Sequence, residues 1–286
     1  MTPAENRPDR SQNHPKPPNR RGQRRAGAKK AKGLNPRWLS AGSIFLALVL
    51  WFLVTNLKLV DPLFFPSPQS VWDAFINILQ NGYKGRPLIQ HIGSSMGRLA
   101  IAFVLALGTA VPIGLASGYF KPVQAILDPF IEFYRPLPPL AYYTLLVIWL
   151  GIEDNSKIAL LFLAGFAPLY IAMVSGVRRV PRDRINAALS LGSSQWQVFT
   201  QIIFPSCLPE LFTGLRTALG FMYTTLVAAE MVAAVSGIGW MVLDASKFLR
   251  SDIIFVGIII MGIIAIALDS GLRWLQARYL PWVGRE

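Results

Sequence analysis

Apolar runs close to the ~20 residues of a bilayer crossing alternate with short polar stretches along most of this chain. The pattern predicts six helical spans, near Leu39–Leu57, Met96–Ser117, Ile126–Leu150, Ile158–Gly176, Leu208–Val235 and Ile253–Leu275. In the third, Pro136, Pro138 and Pro139 remove helix donors and interrupt the run. Gly214 and Gly220 loosen the fifth. The expected class is an all-α membrane protein, since a helix satisfies its own backbone polar groups in lipid.

One polar excursion, about residues 178–206, separates the fourth and fifth spans. Its pattern predicts two short helices. Pro181 suits a first helical turn, where its missing N–H does no harm. Ile185, Ala188 and Leu189 give an apolar face at helical spacing. Gly192 is placed to stop that helix in the left-handed conformation. Ser194 and Gln197 then form a capping-box start. Trp196, Phe199 and Ile203 follow at one-face spacing, and Pro205 is expected to set the end. Two readings fit such a loop: a helix lying on the bilayer surface, or one docked in a partner's groove.

Composition and charge sharpen this picture. Hydrophobic residues make up 53% of the chain, more than a soluble domain carries. The net charge of +13 is mostly local, with +9 of it up to Arg37. That stretch is rich in Pro, Gly, Asn and Gln and nearly free of apolar residues. Residues 1–37 are therefore expected to be a disordered basic tail, and 38–286 the membrane domain. Excess Lys and Arg favour the cytoplasmic side, so both termini and the Arg178, Arg179, Arg182 and Arg184 cluster are expected inside. A topology and lipid-surface role for the tail is preferred over nucleic-acid binding. The lone Cys207 reads as a packing residue.

No phosphate-binding G-x-x-x-x-G-K-[ST] loop occurs, so ATP chemistry, if used, must come from another subunit. His91 is the single histidine outside the basic tail. Hydrolase triads and histidine metal sites have no support, and no enzyme activity is expected.

Ionisable and irregular positions inside the spans are the candidates for function. Arg216 reads as a gating residue or a snorkelling interface arginine. Glu230 precedes Ser236-Gly237-Ile238-Gly239, and its carboxylate is expected to accept N–H groups of that turn and hold an outer gate. The 239–250 segment reads as a short lid helix with Met241, Ala245 and Phe248 on one face. Arg135, with Pro138 and Tyr142 after it, reads as a wall attracting anions, or as part of a kink with a Glu132–Arg135 pair at i, i+3. Asp128 and Asp269 read as caps or interface charges. Gly114 and Gly118 make a G-x-x-x-G stripe for close packing, within the chain or across a dimer.

Asn186-Ala187-Ala188, Gly192 and Ile202-Ile203-Phe204-Pro205 resemble the E-A-A, glycine, I-x-L-P loop of ABC-importer permeases, with Asn186 for the usual glutamate and Phe204 for the usual leucine. The strings at residues 62–68, 134–141, 215–220 and 227–230 are similar to its taurine, sulfonate and nitrate branch, especially the taurine permeases. The resemblance covers about Leu59 to Trp282. It implies a type I importer permease fold of six transmembrane helices, acting as a homodimer. It also implies two cytoplasmic ATPase subunits that bind ATP and Mg, and a periplasmic solute-binding protein. No cofactor would be bound by this chain. Asn186, Ala187, Ala188, Gly192, Trp196, Phe199, Ile202 and Pro205 would form the ATPase-coupling loop, with Asn186 removing its usual acidic contact. Taurine or another alkanesulfonate is the first cargo implied; nitrate, bicarbonate, cyanate and a thiamine-precursor pyrimidine follow. An ion-coupled secondary transporter and a membrane scaffold without transport are the competing classes.

Overall fold

A computed structural model describes residues 36–281 of the protein. The expectations for the basic tail, His14 included, fall almost wholly outside those residues. Helix α1 spans Pro36–Asn56. Its apolar side chains up to Leu48 that are described are exposed. Residues from Val49 onward form a compact unit of their own. Among the described residues the regular structure is helical apart from one isolated bridge, Tyr83 with Arg86.

The compact unit is built on three long helices, α3 (Leu88–Tyr119), α6 (Asp154–Arg178) and α9 (Phe204–Ala233). Helix α6 lies between the other two, and small residues set the approach. A Cβ on Gly114 would sit 2.7 Å from the Met173 Cβ, and one on Gly118 would sit 2.6 Å from the Val177 Cβ. The G-x-x-x-G stripe therefore packs α3 on α6 within the chain. On the other side of α6, Gly176 faces the buried Cys207, the packing residue expected from the sequence.

A second layer joins α2 (Pro68–Asn81), α10 (Ile238–Lys247) and α11 (Ser251–Tyr279) around Ile78, Met241, Ala245 and Val256. Helix α2 lies outside the six expected spans; Ser67 caps it, accepting the Ser70 N–H, and Pro68 opens its first turn. Met241 and Ala245 share the buried face of α10, but Phe248 does not. The helix ends at Lys247, and the exposed Phe248 ring lies under Lys84 Nζ, 4.3 Å away.

Four helical stretches are long and apolar enough to cross a membrane: α3, α6, the continuous 195–233 helix and α11. The first expected span coincides with α1. The third is two helices, α4 (Lys121–Tyr134) and α5 (Pro139–Leu150), broken between Arg135 and Pro138. The 12-residue α5 extends about 18 Å, shorter than a ~30 Å hydrocarbon core. Glu132 and Arg135 form no pair across this break; the kink is made by the prolines alone.

Candidate functional site

The polar excursion folds as two short helices on the end of the α3–α6–α9 bundle. Helix α7 runs Arg182–Ser190, with Pro181 one residue ahead as its cap. Ile185, Ala188 and Leu189 turn toward Leu115, Met173 and Val177. Gly192 has φ +87°, the left-handed value a glycine adopts without strain. The Ser193 N–H then donates to Ala188 O and closes the helix end. Helix α8 (Gln195–Val198) opens on the full capping box, with Ser194 Oγ accepting from Gln197 N and Gln197 Oε1 accepting from Ser194 N.

Pro205 does not end this helix, contrary to the sequence reading. A π turn over Phe199–Ile203 joins α8 to α9, and the 195–233 helix is continuous. The ring of a helical proline strikes the carbonyl four residues back. The wide π turn moves that carbonyl away. Ile203 is buried, while Trp196 stands 72% exposed with its ring stacked 5.9 Å from Phe199. Leu191, at the tip between the helices, is 87% exposed. Asn186 and Ala187 lie on the exposed side of α7, and Ala188 and Ile202 are partly buried. Two large apolar groups thus project from a loop shaped by a glycine turn and a capping box.

At the other end of α9, Glu230 is 1% exposed and lies within a dense polar cluster. Ser95 Oγ donates to it at 2.7 Å, Arg98 Nη1 at 2.7 Å and the Gly239 N–H at 3.0 Å. The glycine-turn contact expected of this carboxylate is therefore present. Arg98 also donates to Ser236 O, Ser236 Oγ and Asp154 Oδ1. Ser95 Oγ accepts the Ile238 N–H, and His91 Nδ1 accepts the Gly237 N–H. Gly237 has φ +125°, and a Cβ there would fall 2.4 Å from the Glu230 carboxylate. Four side chains of α3 and α9 thereby fix the turn into α10. Lys157 closes the neighbouring α5–α6 turn by donating to Ile152 O and Glu153 O. Outside the spans, burial and the Asp244 carboxylate push the Tyr83 hydroxyl far above its usual pKa, so it stays a donor to Asp244.

Arg98 and Ser95 were not singled out from the sequence. The rule that flagged Arg216 and Glu230, an ionisable group within an apolar span, applies equally to Arg98. Arg216 is neither near Glu230 nor free: its Nε donates to Asp269, which also accepts from Arg273. Asp269 is thus the centre of an interhelical triad and not a cap. Asp128 likewise accepts from Gln124 and Tyr170.

Arg135, Pro138 and Tyr142 come together on the wall of one cavity, between the α4–α5 break, α6 and α9, of about 600 Å³. Arg216, Glu230 and Met241 do not line it.

The fold and these sites define a helical membrane protein with a capped, glycine-hinged loop at one end of its longest helix. The chain belongs to the family of binding-protein-dependent transport system inner membrane components, whose sequence profile matches residues 110–283. It is 46% identical to the taurine transport system permease protein TauC of Escherichia coli K12, over 86% of this chain and 90% of the relative. It is 32% identical to the putative aliphatic sulfonates transport permease protein SsuC of Bacillus subtilis 168, over 82% and 84%. The bicarbonate transport system permease protein CmpB of Synechocystis is 29% identical, over 82% and 85%. A structure of the inward-facing MetNI methionine ABC transporter shares the fold, with TM-score 0.51 and 15% identity over 65% of this chain and 94% of that one. The protein therefore has the type I ABC importer permease fold.

Proposed function

We propose that this chain is the membrane subunit of an ATP-driven importer for a small organic anion, taurine or another alkanesulfonate. It acts as a homodimer in the bacterial inner membrane, with both termini and the 178–206 loop in the cytoplasm. Two cytoplasmic ATPases, which bind the ATP and Mg, dock on the loops, and a periplasmic binding protein delivers the solute. ATP binding draws the loop helices together and opens the dimer outward; hydrolysis resets it inward. Contact with membrane lipid is part of the assembly, and nucleic acid is not.

The observation that carries this reading is the loop. Leu191 and Trp196 stand out as apolar knobs on a capped, glycine-hinged frame, and an amphipathic helix set in a groove is a common way to join two proteins. The frame continues without a break into α9, so a push on the loop reaches the far end of the bundle. The cargo class follows the similarity to taurine and sulfonate permeases.

The test is solute-stimulated ATPase activity in proteoliposomes holding this subunit with its ATPase and binding protein. Taurine, alkanesulfonates, nitrate and bicarbonate are the arms, the last because of the similarity to CmpB. Stimulation by a sulfonate is expected. Gly192→Leu should reduce it about tenfold, because a side chain at positive φ costs ~1–2 kcal/mol and misplaces Leu191. Stimulation by no solute, with assembly intact, would sink the anion reading.

A further inference from the structure

The cavity beside the α4–α5 break carries three charged side chains on its lining: Arg135, Arg179 and Glu210. Arg179 and Glu210 are paired with each other. Arg135 makes no ion pair among the described residues, although Arg98, Arg179, Arg216, Arg250 and Arg273 all do. Tyr142 lies on the same wall, half-buried, and its hydroxyl makes no hydrogen bond among the described residues. Thr213 and Thr217, also on the lining, spend their hydroxyl protons on carbonyls of their own helix. The Tyr134 hydroxyl donates to Leu163 O, so the protons left for an occupant include those of the Arg135 guanidinium, the Tyr142 phenol and the Ser175 hydroxyl, all suited to oxyanion oxygens. The rest of the wall is largely apolar, from Leu163 and Ala167 to Ile171 and Phe221. A cavity of about 600 Å³ is in the usual size range for small-molecule sites.

We propose that this cavity is a transit site for the sulfonate group within the permease itself, with Arg135 and Tyr142 holding the anion after the binding protein releases it. The inference rests on the import reading above. The permease then contributes selectivity of its own, for the sulfonate end of a small solute. Glu210, the lining carboxylate, is already paired, so the site holds the sulfonate end and ignores an ammonium at the other. Inside the permease, taurine and ethanesulfonate should be handled alike.

The experiment uses the whole complex in proteoliposomes with loaded binding protein at saturation, and measures labelled taurine and ethanesulfonate uptake together with ATP consumed per solute moved. Arg135→Gln should lower uptake of both solutes about tenfold or more, the worth of a charge-assisted hydrogen bond. It should also raise the ATP consumed per solute. Arg135→Lys keeps the charge but not the fork, and should recover part of the loss. Tyr142→Phe should lower uptake several-fold. Parental uptake in Arg135→Gln would overturn the transit site and leave the importer standing. Equal losses in Arg135→Gln and Arg135→Lys, with an unchanged ATP ratio, would overturn it in favour of a structural role. Failure of the parent complex to take up any sulfonate would overturn the import reading and the site together.

Discussion

Arg98→Met is expected to destabilise the protein by about 3–5 kcal/mol, because it leaves a carboxylate buried without its countercharge. Glu230 is 1% exposed and Arg98 is 5% exposed, so water cannot take over the lost bonds. The change also strips Ser236 of both its arginine donors, and Ser236 lies in the turn that leads to α10. Glu230→Gln should be damaging for a different reason. Its amide oxygen can accept from Arg98, but its NH2 group then faces the Gly239 N–H as donor against donor. Ser95 does not repair this: its proton can stay on the amide oxygen, but the Gly239 N–H is still left without its acceptor. The double variant Arg98→Met with Glu230→Met removes both charges and should be more stable than Arg98→Met alone. Melting of the purified subunit in nanodiscs is the measurement, with a fall of roughly 10 °C expected for Arg98→Met. Melting of Arg98→Met within 2 °C of the parent would show that the cluster does not hold the turn, as would a double variant no better than the single.

That cluster also marks where the sequence stops being legible. The loop after α6 could be read residue by residue because its determinants are local. A proline cap, a glycine at positive φ and a Ser–Gln capping box each act over no more than about four neighbouring positions. The GxxxG stripe could be read as close packing, but not as α3 on α6, since the partner lies some sixty residues away. Glu230 was flagged by its charge and by the glycine turn after it. Its partner Arg98, 132 positions earlier, could come only from the tertiary fold. The Arg216–Asp269 pair, 53 positions apart, is hidden for the same reason, and it links α9 to α11. Pro205 misled because a proline is a helix stop only while the preceding turn is α-helical, and here the preceding turn is a π turn. The Arg135–Pro138 break, by contrast, was announced by three prolines in four positions, and the cavity formed beside it.

Gly114→Ala and Gly118→Ala are each expected to cost about 1–3 kcal/mol, the range for an added methyl in a filled interior. Both new Cβ atoms would meet atoms that cannot swing aside. At Gly114 these are the Met173 Cβ and the Tyr170 carbonyl oxygen, and at Gly118 the branched Val177 side chain. Only a shift of one helix against the other relieves such contacts. Helices in lipid gain little from burying apolar surface, so close approach at small residues carries much of their association. A built-in control lies on the same helix: a Cβ at Gly108 meets nothing within 4 Å. Gly108→Ala should be neutral or slightly stabilising, by up to ~1 kcal/mol from helix propensity. The consequence extends past stability. Helix α6 ends at Arg178, just before the loop that projects Leu191 and Trp196, so an α3–α6 shift should move the loop as well. Both glycine variants are therefore expected to lower the melting temperature and to weaken ATPase capture by the solubilised subunit, while Gly108→Ala changes neither. A lowered melting temperature with undiminished ATPase capture would mean that α6 slides without carrying the loop, and the lever between bundle and ATPase would then have to run through α9 alone.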